Sequence, residues 1–140
     1  MALTWYKSLE TGVEWQDKQH KELFNRVNRL LCAMVEKKGN EEIADLLNFL
    51  DNYVVVHFDA ENQAMNKLQF KDRASHIAEH ADFKSKLADI KKAVEKGLDS
   101  ALVIRIQKQV TDWLMEHIGK VDKVLGKFIT ESSQAAAKIA

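Results

Sequence analysis

The sequence predicts an all-α protein: an up-down-up-down antiparallel four-helix bundle preceded by an irregular N-terminal arm. The chain contains no proline and only five glycines, a composition that leaves long helices uninterrupted. Apolar side chains recur every three or four positions in four long segments, which is the spacing of one helical face. Short linkers join these segments, so consecutive helices should pack antiparallel.

The arm is placed at residues 1–16, and the four helices at about 17–38, 41–68, 73–96 and 100–132. Each helix carries an apolar stripe that should face the bundle interior.

Polar residues and glycines mark the expected helix ends. Asp17 and Ser100 are interpreted as N-caps. Gly39 and Gly97 directly follow two of the apolar segments and should stop them. The small, polar tail from Glu131 is expected to fray.

Composition excludes several classes of protein. Basic and acidic residues balance at 21 each, which gives no electrostatic footprint for nucleic acid. The N-terminus lacks a secretory signal, and no apolar run approaches the roughly 20 residues of a membrane span. The single cysteine, Cys32, excludes an internal disulfide and is interpreted as a packing residue in a reducing cytoplasm. We expect one soluble, cytoplasmic domain covering residues 1–140.

All five histidines fall on stripes that should face inward, and two carboxylates accompany them. His76 and His80 are one helical turn apart in the segment HIAEH, and so are His57 and Glu61 in HFDAE. The complete set of candidate metal ligands is His20, His57, Glu61, His76, His80, His117 and Asp122.

Seven such groups in one core indicate a metal centre. A single histidine on an apolar stripe is usually a hydrogen-bonded core residue. Burying an unsatisfied polar group costs roughly 2–7 kcal/mol, however, and a whole domain is stable by only about 5–15 kcal/mol. Imidazole and carboxylate suit iron, manganese or zinc, and the lack of thiolates argues against a structural zinc site.

The number of ligands favours two ions over one. Seven side chains are too many for one octahedral ion. If Glu61 and Asp122 each bridge two irons together with a hydroxide, the ligands supply all but one of the bonds that two octahedral irons require. The open position falls on the iron that holds two histidines, where one small ligand could bind.

The ordered motifs resemble the hemerythrin family, in its single-domain bacterial form, over essentially the whole chain. Asn62 and Gly119 depart from the pattern that is common in that family, and we expect Asn62 not to touch the metals. The segments that carry the resemblance are DKQHKELF at 17–24, HFDAE at 57–61, HIAEH at 76–80 and WLMEHIGKVD at 113–122.

The resemblance implies an oxygen-binding, non-haem di-iron centre. It assigns His76, His80 and His117 to one iron, His20 and His57 to the iron that takes oxygen, and Glu61 and Asp122 to the bridges. It also implies an oxygen pocket walled by apolar side chains, for which plain core packing is an equally good reading. These residues are Leu23, Phe58, Trp113, Leu114 and Ile118.

The expected function is reversible oxygen binding by a carrier, store or delivery protein that is not an enzyme. Its partners would be dioxygen and an oxygen-consuming recipient protein, and we expect a monomer. Alternatives are an oxygen or redox sensor, a di-iron oxidase, peroxidase or nitric oxide-handling enzyme, and an iron–sulfur repair protein of related fold. Oxygen-activating di-iron bundles carry four glutamates and two histidines, whereas histidine dominates here, so the enzyme is disfavoured.

Asp122 presents a geometric conflict. Five residues turn a regular helix by about 500°, which leaves Asp122 about 140° away from His117. Both side chains could not then reach one centre. The bridging role that the resemblance implies for Asp122 therefore requires the fourth helix to end, bend or change pitch between them, with Gly119 as the weakest point. The alternative is a regular helix that leaves Asp122 as a solvated surface acid.

Overall fold

The computed structural model describes the backbone of residues 3–139 and the side chains of residues 3–134. It confirms the all-α fold and the four-helix bundle. A 3₁₀ turn, Lys7–Leu9, lies in the N-terminal arm. The helical elements that follow are α1 (Glu14–Val35), α2 (Asn40–Lys67), α3 (Arg73–Glu95), α4 (Ser100–Glu116), a π-helical segment (His117–Asp122) and α5 (Lys123–Ile139). The last three are continuous and form the fourth helix of the bundle.

Two apolar clusters enclose the middle of the bundle. The larger one draws on all four bundle helices, for example through Val27, Leu50, Leu87 and Val110. A smaller cluster centred on Met65 lies beyond the predicted ligands. Each fully buried aliphatic side chain contributes about 1.5–3 kcal/mol. The polar layer between the clusters is therefore held by apolar packing on both sides.

Helix α1 begins three residues earlier than predicted, at Glu14, and Val13 is its N-cap. Asp17 lies in the first turn instead of capping it, so that interpretation is wrong. Its carboxylate accepts hydrogen bonds from the N-terminal arm instead. Oδ1 accepts from the amide and the hydroxyl of Thr11 at 2.7 and 3.0 Å, and Oδ2 accepts from the amide of Gly12 at 3.2 Å. Asp17 thus fastens the arm to the helix.

The helix ends follow local backbone geometry. Helix α1 stops at Val35, before the predicted residue 38, because the chain turns at Lys37 with a φ of 57°. Helices α2 and α3 lie within one residue of the predicted bounds. Gly97, with a φ of 108°, follows α3 in the left-handed conformation that glycine adopts readily.

Cys32 is exposed, so its interpretation as a packing residue is wrong.

The start and end of the fourth helix also differ from prediction. Asp99, not Ser100, caps α4, because its side chain accepts a 2.7 Å hydrogen bond from the Leu102 amide. The helix runs on to Ile139, beyond the predicted residue 132. The alanines and lysine of this tail have high helix propensity. The expectation that the tail frays, which was based on its small and polar side chains, is therefore wrong. None of the described helices is long and apolar enough to cross a membrane.

The predicted change of helix pitch between His117 and Asp122 is confirmed, since this segment is π-helical. Hydrogen bonding from i to i+5 widens the turn, which brings residues five apart onto one face. Both side chains are buried, and His117 Nε2 lies 3.3 Å from Asp122 Oδ1. Gly119 does not use a positive φ here, so the segment does not depend on the conformational freedom of glycine.

Gly126 in α5 allows the N-terminal arm to lie directly against the fourth helix. A Cβ at this position would fall 2.6 Å from the Thr11 Cβ and 3.1 Å from the Gln16 Oε1. The first distance is far shorter than van der Waals contact, so a larger residue would displace the arm.

We therefore expect Gly126→Ala to destabilise the chain by about 1–3 kcal/mol, the usual range for overpacking. Gly119→Ala is the matched control, because its Cβ would meet only the Leu9 Cδ2 at an ordinary 3.6 Å. The control should be neutral or slightly stabilising, given the higher helix propensity of alanine. Urea denaturation measures both, and equal effects would show that the arm does not restrict position 126.

Candidate metal centre

The seven predicted ligand side chains meet in one buried layer of the bundle. Every helix of the bundle contributes to it, and each side chain is at most 2% exposed. His20 comes from α1, His57 and Glu61 from α2, His76 and His80 from α3, and His117 and Asp122 from the two ends of the π-helical segment.

The donor atoms form two overlapping groups, in each of which they lie within 4.8 Å of one another. Both groups contain the two carboxylates. The larger group is Glu61, His76, His80, His117 and Asp122, and the smaller is His20, His57, Glu61 and Asp122. The structure thus separates the histidines into sets of three and two.

Glu61 presents a different oxygen to each group. Its Oε1 lies 3.0 Å from His80 Nε2 and 3.5 Å from His76 Nε2. Its Oε2 lies 3.4 Å from His57 Nε2 and 3.5 Å from His20 Nε2. This arrangement suits a carboxylate that is shared between two cations.

The two carboxylate oxygens of Asp122 also face different donor groups. Its Oδ1 lies 3.0 Å from His76 Nε2 and 3.3 Å from His117 Nε2, and its Oδ2 lies 2.9 Å from His20 Nε2. The π-helical segment therefore places a second carboxylate where two cations could share it.

The hydrogen bonding of His80 tests whether a cation fits. Its Nδ1 lies 2.8 Å from the Asn62 Oδ1 and donates to it, and burial lowers the pKa of His80, so the imidazole is neutral and its Nε2 carries a lone pair. That lone pair lies 3.0 Å from another acceptor, the Glu61 Oε1. Neither of these two atoms has a hydrogen-bond partner. Two buried acceptors this close are mutually repulsive unless a cation lies between them, so the residues fit a metal.

The same pattern extends across the layer. The Nε2 atoms of all five histidines are buried without a hydrogen-bond partner, as are both oxygens of Asp122. A protein core rarely leaves this many polar atoms unpaired. Histidine and carboxylate donors together suit iron, manganese or zinc.

Three of the predicted ligand histidines are hydrogen-bonded to side chains that the sequence analysis did not identify. The Nδ1 atoms of His57, His80 and His117 lie 2.7, 2.8 and 2.9 Å from the side-chain oxygens of Gln19, Asn62 and Glu79, respectively. Such bonds fix the tautomer of a neutral imidazole and orient its Nε2, as is usual for histidines that hold a metal.

A fourth missed residue, Gln16, is buried and donates a 2.7 Å hydrogen bond to the Glu61 Oε2. It lies one turn before His20. Asn62 does not join the donor groups, as expected, but it has a role that was not foreseen. Gln19, Asn62 and Glu79 are each adjacent in sequence to a predicted ligand, and such polar neighbours at the edge of an inward stripe are the signal that could have identified them as candidates.

Burial and the two carboxylates shift the histidine pKa values in opposite directions. Burial lowers the pKa of His20 and His76, but a protonated imidazole at either position can donate to the Asp122 and Glu61 carboxylates. These hydrogen bonds and charges outweigh burial and raise both pKa values to about 9. Burial dominates at His57 and lowers its pKa to about 4. Without metal, the layer therefore neutralises its carboxylates by protonating selected histidines.

Apolar and aromatic side chains cover the histidines. Phe58 stacks on His80 with ring centroids 3.9 Å apart, and Trp113 stacks on His117 at 4.4 Å. Trp113 is half-buried and packs against the larger apolar cluster. The remaining residues of the predicted pocket are buried in that cluster: Leu23, Leu114 and Ile118.

A four-helix bundle with a buried histidine–carboxylate layer defines a class of metal-binding proteins, and comparison with known sequences shows which family this is. Residues 11–129 match the family model described as the hemerythrin HHE cation binding domain. The chain therefore belongs to the hemerythrin family.

Individual relatives agree. The chain is 38% identical over 129 residues to the bacteriohemerythrin of Methylococcus capsulatus, covering 90% of this chain and 96% of that protein. It is 26% identical to the bacteriohemerythrin of Pseudomonas aeruginosa, covering 86% of this chain and 76% of that protein. The crystal structure of a wild-type hemerythrin superimposes with a TM-score of 0.76 at 34% identity, covering 91% of this chain and 97% of that one.

Proposed function

We propose that this chain binds dioxygen reversibly at a pair of iron ions and serves as an oxygen carrier, store or delivery protein. The observation that carries the proposal is the pair of unequal donor groups that share both carboxylates. In this proposal His76, His80 and His117 hold one iron, His20 and His57 hold the other, and Glu61 and Asp122 bridge them.

The unequal histidine count gives the two positions different roles. Two ferrous ions bound here would supply the electrons that dioxygen needs in order to bind reversibly. The three-histidine position is nearly filled by protein donors, whereas the two-histidine position leaves room for a small ligand. Glu61 and Asp122 bring two negative charges that offset the cations in a core that is otherwise apolar.

The apolar wall favours a carrier over an enzyme. Leu23, Phe58, Leu114 and Ile118 are at most 2% exposed, so they keep water and larger substrates away from the histidines. The donor set has two carboxylates, compared with the four of oxygen-activating di-iron bundles.

We also propose that residues 1–140 act as a single-domain monomer in the cytoplasm and supply an oxygen-consuming recipient protein.

Admitting air to the reduced, iron-loaded chain tests the function directly. We expect a new absorption band as oxygen binds, and its loss when oxygen is removed under argon, over repeated cycles. Irreversible oxidation in the first cycle, or steady turnover with peroxide, would refute the carrier and favour an enzyme. An unchanged spectrum would refute oxygen binding altogether.

Leu114→Ala should speed autoxidation of the oxygenated protein, because a smaller side chain opens the apolar wall to water. Trp113→Ala should act in the same direction. Both variants should retain most of their iron. The measurement is the decay of the oxygenated spectrum in air, at matched iron content.

Leu47→Ala is the matched control for the pocket. Leu47 and Leu114 are both 1% exposed, so truncating either should destabilise the chain by about 2–5 kcal/mol. Leu47 precedes His57 by ten residues of α2, a distance of about 15 Å along the helix. If both variants autoxidise equally fast, general loosening and not the pocket wall controls the reaction.

A further inference from the structure

The three hydrogen bonds that orient ligand histidines are chemically unequal. His57 and His80 donate to the neutral amide oxygens of Gln19 and Asn62. His117 instead donates to the carboxylate of Glu79, at 2.9 Å. Of these three partners, the charged one therefore belongs to the three-histidine group.

We propose that Glu79 is a positioning residue that makes His117 the most strongly donating histidine of the layer. It thereby favours the more oxidised metal ion at the three-histidine position. This inference rests on the metal centre of the proposed function. It goes further by assigning an electronic difference between the two metal positions to one side chain.

The placement of Glu79 supports this role. It lies in α3 directly before His80 and reaches across to the fourth helix. Its side chain is 41% exposed in a surface cleft of about 440 Å³, which also borders Trp113 and His117. Among the described side chains, His117 is its one ion-pair partner within 4 Å. Lys86 borders the same cleft but pairs with Asp82 at 3.3 Å, so the imidazole is the charged partner of the Glu79 carboxylate.

The physical effect follows from the polarity of the hydrogen bond. A carboxylate that accepts from Nδ1–H draws the proton towards itself and raises the basicity of Nε2, the atom that faces the metal. An amide oxygen accepts the same bond without a net charge, and such bonds are about half as strong as charge-assisted ones. More electron density at Nε2 stabilises a higher positive charge on the ion that it ligates.

Three variants separate the charge from the hydrogen bond. Glu79→Gln keeps an acceptor oxygen for the His117 Nδ1–H but removes the charge, whereas Glu79→Ala removes both. Glu116→Gln is the matched control, because Glu116 borders the same cleft and loses the same charge. Its nearest cation is Lys120, at 2.9 Å, and it is 66% exposed.

The first measurement is zinc affinity, by titration of the metal-free chain, which needs no oxygen chemistry. Losing a partner of this kind usually weakens metal binding by about 10–100-fold. We expect that loss in Glu79→Ala, a smaller loss in Glu79→Gln, and none in Glu116→Gln. The second measurement is the midpoint potential for the first oxidation of the iron pair, which Glu79→Gln should raise and Glu116→Gln should leave unchanged.

Gln19→Glu provides the converse test, because it would place a carboxylate on His57 in the two-histidine group. The midpoint potential for the first oxidation of the iron pair should be lower in Gln19→Glu than in the unmodified chain. If Glu79→Gln matches the unmodified chain in zinc affinity and potential, or if Glu116→Gln shifts the potential equally, the proposal is wrong. If the ranking of zinc affinities holds but air produces no oxygenated spectrum, the proposed function fails and the role of Glu79 stands.

Discussion

Removing the metals should lower the thermal stability of the chain by about 10 °C or more, and the loss should be larger at pH 9 than at pH 6.5. Each buried polar atom left without a partner costs about 1–3 kcal/mol. A change of 1 kcal/mol shifts the melting temperature of a domain of this size by several degrees. In the metal-free chain, the Nε2 atoms of His57 and His80, which burial keeps neutral by lowering their pKa values, are left without a hydrogen-bond partner.

The pH dependence follows from His20 and His76. Their pKa values are raised from 6.5 to about 9 in the folded chain, so the stability that they contribute is complete below about pH 6.5. It is lost as the pH rises towards 9, where the buried carboxylates lose their protonated partners. Bound metal needs neutral histidines, so the metal-loaded chain does not share this loss.

On the acid side the two forms should converge. The pKa of His57 is lowered to about 4 by burial, so the stability that this neutral histidine contributes is lost as the pH falls from 6.5 towards 4. Metal leaves over the same interval, because protons compete for the histidines. Calorimetric scans of both forms at pH 5, 6.5 and 9 measure these effects. Melting temperatures within a degree or two at every pH would show that the ligand side chains are solvated.

Asp122→Asn should reduce the metal content from two ions per chain to at most one. Asp122 supplies an oxygen to each donor group, so its charge stabilises both positions. An asparagine keeps the shape but offers one neutral oxygen, and two cations close together then lose half of their shared negative charge.

The matched control is Asp112→Asn, an exposed aspartate of α4 that pairs with Lys108 at 3.4 Å. The control should bind two ions with unchanged affinity. Metal analysis after equilibration with a slight excess of iron, followed by gel filtration, distinguishes the variants. Two ions in both variants would show that Asp122 is not a shared ligand.

The architecture and the membership of the buried histidine–carboxylate layer could be predicted because both depend on local periodicity. Inward stripes fix which side chains share the core, and His57 with Glu61, or His76 with His80, lie one turn apart on a single helix. A change of pitch between His117 and Asp122 was also predictable, because the role that the resemblance implies for Asp122 requires both side chains to face one centre, which a regular helix does not allow.

The roles of Gln19, Asn62 and Glu79 could not be predicted in the same way. Each reaches a histidine on a neighbouring helix, 18 to 38 positions away in the chain. Such contacts depend on the relative rotation of packed helices, which one helical period does not reveal. The misplaced N-cap at Asp17 has a similar origin, since its partners are backbone groups of the arm.

The most direct test of the central claim is the amount of iron bound per folded chain. Iron and protein should be quantified on one anaerobically reconstituted sample. Two overlapping donor groups that share Glu61 and Asp122 predict two iron ions per chain. One ion per chain, under conditions that saturate binding, would contradict the shared-carboxylate pair on which the proposed oxygen chemistry depends.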